Sequence, residues 1–469
     1  MNLPSRHSRI ALALAGIVAA LACGSAQGAG FALQEQSGSG LGNAFAGGAA
    51  SAEDASTIWS NPAGMSRLTS SQIAAALHLV TPSIKFKDNG SVAAQFQTLG
   101  GTGGDAGSTA VIPNLYVAVP LSRQLAIGLG VNAPFGLVTE YDDTWLGRFQ
   151  AIKSEVRTIN VNPAISWRVS NNLSIAAGAD YQHVRATFTN RVNYSAALGQ
   201  AAQQAAAAGQ IPAAVIPSFL AAVPGLEAGA RIDGDDSAWG WNVGALWNVD
   251  DWSRLGAHYR SRIKYSIAGN VGFDRPSLPT LPAALAPVGA ALSAGVNAAL
   301  FNGGVSTPIE FPAIANLSYF RTLNDRWDVM ADVQWTGWNK IRNLAFTRTT
   351  GALLSTTPEN FKNACRYSIG ANYRYSDRWM FRGGIAWDQS PVNDTDRTPR
   401  LPDEDRVWFS IGAQYKMSPQ LRFDIGYTFI TAQNASINQN AGSTAANGLI
   451  KGDYDAHVNI VSGQVTYSF

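Results

Sequence analysis

Cysteine is nearly absent from this chain, which has two cysteines in 469 residues. Cys23 lies in a stretch that is predicted to be removed, so the mature chain keeps only Cys365. One thiol forms no internal disulfide and supplies neither a zinc cluster nor a redox pair. A disulfide scaffold is therefore excluded, and we expect no cofactor and no metal ion.

Charge is also scarce, at 14% of the residues with a net charge of +2. No Lys/Arg cluster is dense enough to neutralise several phosphates, so we expect no nucleic-acid partner. The histidines of the mature chain lie far apart in the sequence: His78, His183, His258 and His457. They show no catalytic, metal-binding or phosphate-loop pattern. We predict that the protein is not an enzyme and has no catalytic residues.

Long apolar runs are missing except near the N terminus. Arg6 and Arg9 precede an apolar run at 10–21, and small residues at Ala26 and Gly28 have the spacing of a cleavage site. A basic start, an apolar core and a small-x-small site are typical of a secretory leader. The sequence therefore predicts a signal peptide at residues 1–28.

The rest of the chain has alternating apolar and polar residues instead. Apolar side chains occupy every second position at 239–247, 327–335, 379–387, 421–429 and 461–469, often with Trp, Tyr or Phe near the ends. A strand that faces lipid on one side and water on the other needs this period of two, and aromatic residues favour the membrane interface. The pattern predicts an all-β transmembrane antiparallel β-barrel in the bacterial outer membrane.

Turn signals divide residues 71–469 into fourteen candidate strands. We predict them at 72–86, 109–120, 124–138, 154–169, 172–194, 236–249, 252–270, 309–322, 326–348, 361–376, 378–389, 404–417, 419–433 and 454–469. An even number is what a closed single-chain barrel requires when both chain ends lie on the periplasmic side.

Two long external loops, 195–234 and 274–305, are unusually apolar. Their apolar residues recur every three or four positions, which predicts short amphipathic helices interrupted by prolines. Two interpretations remain open: the loops pack together as a lid, or they form a landing groove for an apolar ligand. The groove candidates are Ile216, Phe219, Leu220, Leu285, Leu292 and Phe301.

An N-terminal segment, residues 29–70, precedes the first strand and does not alternate. It is rich in glycine and other small residues, and Asn61 followed by Pro62 indicates a turn. A barrel of about 14 strands encloses a lumen wide enough for such a segment. We therefore predict that it plugs the barrel.

Inward-facing positions of the candidate strands carry charges of both signs. They are Asp328, Asp332, Arg374, Arg382, Arg422 and Asp424. Charges of opposite sign on neighbouring strands stabilise a barrel by pairing. We predict that they pair with each other and with Glu35, Glu53 and Asp54 of the N-terminal segment, although an ion path is the alternative.

Several short motifs follow one another in order over residues 29–469. They are Gly30, Phe31, Leu33 and Glu35, and the stretches 39–42, 61–63, 135–137, 139–140, 239–244, 259–261, 385–388, 390–392 and 402–406 with Trp408. Together they resemble the FadL-type outer-membrane long-chain fatty acid transport proteins and their aromatic-hydrocarbon uptake relatives. The resemblance implies a 14-stranded barrel whose N-terminal segment is a movable hatch.

The resemblance also implies site residues. Asn61, Pro62 and Ala63 match the hatch motif that gates transport, and Asn132, Pro134, Phe135 and Gly136 match an inward kink of the third strand that opens the wall sideways. Pro134 and Gly136 by themselves indicate broken strand pairing. From the residues alone, a simple turn and an edge irregularity are the competing interpretations.

A fatty-acid carboxylate needs a charge-assisted donor, and the family uses a basic pair. Its arginine looks like Arg191 here, but its lysine falls on the uncharged Thr357. Lys362 is the nearby substitute, and this departure leaves room for a neutral ligand. Both cations have an alternative interpretation as contacts for lipopolysaccharide or as solvated charges.

The expected function is passive uptake of long-chain fatty acids or similar hydrophobic compounds, with hatch rearrangement and lateral exit at the third strand. The alternatives are an aromatic-hydrocarbon uptake channel of the same family and a nonspecific porin. We expect outer-membrane lipid and lipopolysaccharide as further partners. A single lateral exit favours a monomer.

Overall fold

A computed structural model describes residues 30–440 and 446–469. The predicted signal peptide lies outside the described residues. Within the described ranges, no helix is both long enough and apolar enough to cross a membrane.

The described chain is dominated by one antiparallel sheet of twenty strand segments. In chain order they are β1 (Gln72–Asp88), β2 (Ala110–Pro120), β3 (Leu125–Asn132), β4 (Gly136–Glu140), β5 (Lys153–Arg168), β6 (Leu173–Asn193), β7 (Glu227–Asn248), β8 (Ser253–Arg260), β9 (Ile263–Asp274), β10 (Gly303–Phe311), β11 (Ile314–Thr322), β12 (Trp327–Thr336), β13 (Asn343–Arg348), β14 (Leu353–Pro358), β15 (Ala364–Arg374), β16 (Trp379–Asp388), β17 (Arg406–Lys416), β18 (Leu421–Ala432), β19 (Ala435–Gln439) and β20 (Ile450–Ser468).

The sheet closes on itself because β1 pairs with β20 from Gln72 opposite Ser468 to Asp88 opposite Gly452. Six barrel strands are interrupted and consist of two segments each: β3 with β4, β8 with β9, β10 with β11, β12 with β13, β14 with β15, and β18 with β19. The result is a closed 14-stranded antiparallel barrel, which confirms the predicted fold.

Side chains alternate between the two faces of each strand. On β17, for example, Phe409 and Ile411 are exposed while Trp408 and Ser410 are buried. Exposed apolar residues lie on the outer face, where lipid replaces water, so their exposure is favourable. The predicted period of two therefore corresponds to the lipid-facing and lumen-facing surfaces.

Several strands begin earlier or end later than predicted. β7 begins at Glu227, within the predicted loop 195–234, and β14 lies ahead of the predicted tenth strand. These extensions rise above the membrane, where both faces meet water or protein and the sequence need not alternate. For this reason, the periodicity of the sequence located the membrane-embedded parts of the strands more accurately than their external ends.

Two groups of short helices accompany the barrel. In the N-terminal segment these are α1 (Gly38–Leu41), α2 (Gly48–Ser51), α3 (Thr57–Ser60) and a 3₁₀ turn (Pro62–Arg67), and outside the barrel they are α4 (Tyr194–Ala207), α5 (Ile216–Ala222) and α6 (Ala286–Ala299), with 3₁₀ turns at Ala213–Val215 and Trp338–Lys340. α4 is alanine-rich, and the Asn193 side chain caps it by accepting from the N–H of Ala196. Pro287 in the first turn of α6 leaves that helix intact.

The N-terminal segment touches the inner wall on several sides. α1 contacts β17, β18 and β20, α2 contacts β8, β11 and β12, and the 3₁₀ turn contacts β5, β6 and β7. Glycines make this close approach possible: a Cβ on Gly42 would lie 2.9 Å from the Cα of Gly412 on β17. The segment therefore lies inside the barrel, with its backbone against the backbone of the wall at this point.

Polar contacts tie the same segment to the wall. Arg382 binds Glu53 and also Asp424 of β18, and Arg374 pairs with Asp328. Asp54 accepts hydrogen bonds from Ser39, at 2.9 Å, and from Gln464, at 2.8 Å. Four of the six inward-facing charges therefore form ion pairs, with Glu53 as the partner in the N-terminal segment. The other two do not: Asp332 accepts from the Ser318 hydroxyl, and Arg422 donates to the Glu53 backbone carbonyl. Glu35 and Asp54 have no arginine partner in the described residues, which differs from the prediction.

Candidate functional site

The third barrel strand is broken between β3 and β4, at residues 133–135. β3 pairs with both β2 and β5, whereas β4 forms a ladder only with β5. Residues 110–114 of β2 therefore have no ladder partner on the side of β4. A proline without an N–H and a glycine without a side chain explain why the ladder fails here. The consequence is a gap in the barrel wall.

The N-terminal segment occupies this gap through backbone pairing. The Leu33 N–H donates to the Pro134 carbonyl at 2.8 Å, and the Gly136 N–H donates to the Phe31 carbonyl at 2.9 Å. Ala32 and Phe135 form the antiparallel bridge between these two hydrogen bonds. The start of the segment therefore serves as a short substitute strand beside the kink.

Side chains close the remainder of the gap. Asn132 donates to the Gln36 side-chain oxygen at 2.6 Å, and the amide of Gln36 donates to the Ala133 carbonyl at 3.0 Å. On the opposite side, the Tyr116 hydroxyl donates to the Gln36 carbonyl at 2.9 Å. Gln36 is thus hydrogen-bonded to both edges of the opening.

The gate residues expected from the resemblance belong to the N-terminal segment and contact a different part of the wall. The Asn61 amide donates to the carbonyls of Ala49, at 2.7 Å, and Ala245 of β7, at 2.9 Å, while the Ala63 carbonyl accepts from Ser166. Gly244 is required at this contact, since a Cβ there would lie 2.0 Å from the Asn61 side-chain oxygen. Pro62 opens the following 3₁₀ turn. The gating role of these residues stays a prediction.

An apolar cavity of about 60 Å³ lies above the gap, between the N-terminal segment and the external parts of the wall. Its lining includes Phe31, Val156, Phe188, Phe311 and Phe361. The Phe31 ring packs against Phe135, Phe311 and Trp338, with ring centroids 5.9, 5.1 and 4.7 Å apart. One aromatic side chain of the plug therefore touches both the cavity and the kink.

Two ionisable groups, Arg400 and Glu359, also line this cavity. Arg400 donates to the Gln150 carbonyl at 2.9 Å and to the Ser154 hydroxyl at 3.0 Å. Among the described residues, no carboxylate oxygen lies within 4.0 Å of its guanidinium nitrogens. Arg400 is half-buried, and a cation in such a place whose hydrogen-bond partners are all neutral has an incompletely compensated charge.

Burial controls the protonation of both groups. It raises the pKa of Glu359 to about 8, against the opposing effect of Arg400, with a further increase from Asp396. Burial also lowers the pKa of Arg400 to about 10, although Glu359 opposes that shift. At neutral pH the Glu359 carboxyl is therefore mostly uncharged, and Arg400 is still a cation.

The carboxylate-binding residues expected from sequence do not line the cavity. Arg191 lies 3.5 Å from Asp143 and 4.0 Å from Glu227, both of which are acidic partners. Lys362 is exposed, and Thr357 sits on β14 opposite Leu344. Sequence reasoning missed Arg400 and Glu359, although Arg400 stands two residues before the motif at 402–406. That proximity was the only available signal.

The external helices bring together five of the six groove candidates. Phe219 and Leu292 are buried in one cluster with Tyr194 and Leu198, and Ile216, Leu220 and Leu285 pack against it. Phe301 stays apart and is 41% exposed, with the Arg348 guanidinium 3.8 Å from its ring centroid. The two long loops therefore pack on each other, and a landing role for their surface remains a prediction.

The closed 14-stranded barrel, the N-terminal segment inside it and the apolar cavity define a class of outer-membrane channels for hydrophobic compounds. A family model described as "Outer membrane protein transport protein (OMPP1/FadL/TodX)" matches residues 19–469. The chain belongs to this family, which consists of outer-membrane transport channels and not of enzymes. The outer-membrane location predicted from the sequence is thereby confirmed.

Relatives of known name span nearly the whole chain. The long-chain fatty acid transport protein of Escherichia coli O6:H1 is 28% identical over 445 residues, which cover 95% of this chain and 96% of that protein. Outer membrane protein P1 of Haemophilus influenzae is 28% identical over 470 residues, covering 96% and 97%.

Solved structures show the same fold. A Pseudomonas aeruginosa FadL homologue has a TM-score of 0.82 at 24% identity, and the match covers 94% of this chain and 100% of that one. The Pseudomonas putida toluene transporter TodX has a TM-score of 0.62 at 18% identity, with 88% and 94% covered. At this identity the two structures support the fold alone.

Proposed function

We propose that this chain takes up long-chain fatty acids passively across the outer membrane. The observation that carries the proposal is the half-buried Arg400 guanidinium, with no carboxylate oxygen of the described residues within 4.0 Å, beside a cavity that is otherwise lined mainly by apolar side chains. A fatty acid supplies both an apolar chain and a carboxylate, whereas toluene supplies no charge to balance the cation. The name of the Escherichia coli relative supports the same ligand class.

The proposed path begins at the packed external helices α4, α5 and α6. Apolar cargo partitions onto their surface and then moves into the cavity, where each buried methylene contributes about 0.8 kcal/mol. Ligand sites for molecules of this size usually measure roughly 300–1,000 Å³. The open cavity is much smaller, so an acyl chain fits only when part of the lining moves.

Phe31 is the lining residue whose movement matters most for this path. It belongs to the N-terminal segment. Its carbonyl accepts from the Gly136 N–H, and its ring packs against Phe135 of the kink. We propose that the arriving chain displaces Phe31, that the substitute strand at 31–36 leaves the gap, and that the ligand escapes sideways between β2 and β4. We propose that Asn61, Pro62 and Ala63 act as the gate and rearrange with the hatch in this step.

The gap between β2 and β4 also bears on the oligomeric state, and the outer face bears on lipid contacts. Because each chain has its own opening in the wall between β2 and β4, transport needs no second copy, and we propose that the protein works as a monomer. The exposed aromatic residues of the outer face, such as Trp239 and Trp247, contact outer-membrane lipid.

Uptake of labelled oleate and labelled toluene by a deletion strain that expresses this protein tests the proposed ligand. Oleate uptake without toluene uptake is the expected result, and toluene uptake alone would overturn the proposal. Current through a planar bilayer provides the second measurement. We expect almost none from the plugged barrel, while a large steady current would indicate a nonspecific porin.

A further inference from the structure

A groove of about 650 Å³ lies on the outside of the barrel, lined by residues of β7, β8, β9, β10 and β12 and of the connections between them. We call it the outer groove. Its apolar part is formed by Trp239, Trp241, Tyr259 and Trp335, all of which are exposed on the lipid-facing side. Trp and Tyr favour the level where hydrocarbon meets head groups. The outer groove therefore lies at the interface of the membrane.

The barrel wall is incomplete behind this groove. β7 pairs with β9 as far as Asp235 and with β8 only from Asn242, so residues 236–241 have no ladder partner on that side. The Asp236 carboxylate accepts from the Ser266 N–H at 2.7 Å, and the Trp241 N–H donates to the Ser261 hydroxyl at 2.9 Å. Unpaired backbone is not stable in hydrocarbon, so this stretch meets polar head groups.

Cations surround the upper part of the same groove. Arg262, Lys264 and Lys340 line it, together with one acid, Glu310. Glu310 lies 3.1 Å from Arg262 and 4.0 Å from Lys264, so a single carboxylate is shared between two cations. The groove therefore carries an excess of positive charge beside an aromatic floor.

We propose that the outer groove binds the phosphorylated head of an outer-leaflet glycolipid, with its phosphate on Lys264 and Lys340 and its acyl chains against the tryptophans. Lysine is a point-charge donor that suits a phosphate, and the exposed indoles offer flat apolar surface to the chains. This site is independent of the cargo path, because it faces lipid and not the lumen.

Purified full-length barrel in detergent, titrated with diphosphoryl lipid A and examined by native mass spectrometry, tests the proposal. The variant Lys264→Gln/Lys340→Gln should lose at least about tenfold in retained lipid, and Lys264→Arg/Lys340→Arg should keep it. The matched control is Lys85→Gln/Lys87→Gln, since these are two exposed lysines near the outer end of β1, far from the groove. It should behave like the unaltered chain.

The following results, from the variants and from competing lipids, would overturn the proposal. Wild-type retention in the Gln double variant would do so, as would equal loss in the β1 control. Equal retention of dephosphorylated lipid A or of phosphatidylglycerol would show that the phosphorylated glycolipid is not the occupant. A heat-dependent gel shift confirms that the barrel of each variant is folded before its lipid retention is compared.

Discussion

Arg382 of β16 donates two hydrogen bonds to the Glu53 carboxylate of the N-terminal segment, at 2.7 and 2.6 Å. The same guanidinium donates to Asp424 of β18 at 2.8 Å. The Arg382 side chain is 2% exposed, so salt and water screen this link only weakly. It is a charged contact that joins the plug to two strands of the wall at once.

Replacing Arg382 by Gln should loosen the plug. The change leaves Asp424 and Glu53 without their cation, and removal of one partner from a buried pair costs about 3–5 kcal/mol. We expect a lower temperature for the heat-dependent gel shift and brief ion currents in planar bilayers. Arg378→Gln, in an exposed turn before the same strand, is the matched control. Unchanged current and unchanged heat stability would contradict the assigned contact.

Replacing Arg400 by Gln should weaken laurate binding by about 30-fold or more. Loss of a buried charge pair costs about 2–5 kcal/mol, and each 1.4 kcal/mol is tenfold in affinity. Methyl laurate has no carboxylate, so its affinity should not change. Isothermal titration in detergent measures both ligands, and Arg191→Gln is the comparison because Arg191 does not line the cavity. A larger loss in Arg191→Gln would assign the carboxylate to Arg191 instead.

Laurate affinity should fall as the pH rises above about 8. The Glu359 pKa is raised to about 8, so this carboxyl is mostly protonated at pH 7 and becomes an anion as the pH increases. An anion at this position competes with the ligand for Arg400, which weakens binding by up to about tenfold per pH unit above that pKa. Titrations at several pH values check this. Glu359→Gln should remove the dependence, and a persisting slope would exclude Glu359.

A disulfide between the plug and the kink should stop transport. Ala32 and Phe135 form a bridge flanked by two hydrogen bonds, an arrangement that places the two Cα atoms about 4.5 Å apart. This separation suits a disulfide. In a Cys365→Ser background, Ala32→Cys/Phe135→Cys should take up oleate only after reduction. Each single cysteine variant is a control, and uptake in the oxidised double variant would refute release at the gap.

The sequence predicted the barrel well because lipid and water impose a period of two on every membrane-embedded strand. Phe409 and Trp408 are adjacent aromatic residues on β17, yet one is exposed and the other buried, as alternation requires. The contact of the N-terminal segment with the wall follows from its small residues, since glycines such as Gly42 permit close backbone approach. Local pattern therefore established the fold class and the strand number, whereas the kink was expected from the resemblance.

The cavity was harder to predict because its parts are distant in sequence. Phe31, Glu359 and Arg400 line the same cavity only in the folded chain. Arg400 belongs to the connection between β16 and β17, and this connection has to reach the lumen first. Nothing around Arg400 distinguishes it from a solvated surface arginine, since burial is a property of the folded chain. The same reason explains why the sequence pointed to Arg191, which does not line this cavity, and its role in carboxylate binding stays a prediction.

The seam between β1 and β20 has a consequence for biogenesis. The Gly38 N–H donates to the Gln464 side chain of β20 at 2.9 Å, so a strand of the seam also holds α1 of the N-terminal segment. We expect that the N-terminal segment cannot enter the barrel once the seam between β1 and β20 has closed. We therefore expect the N-terminal segment from Gly30 onward to take its place before β1 and β20 pair.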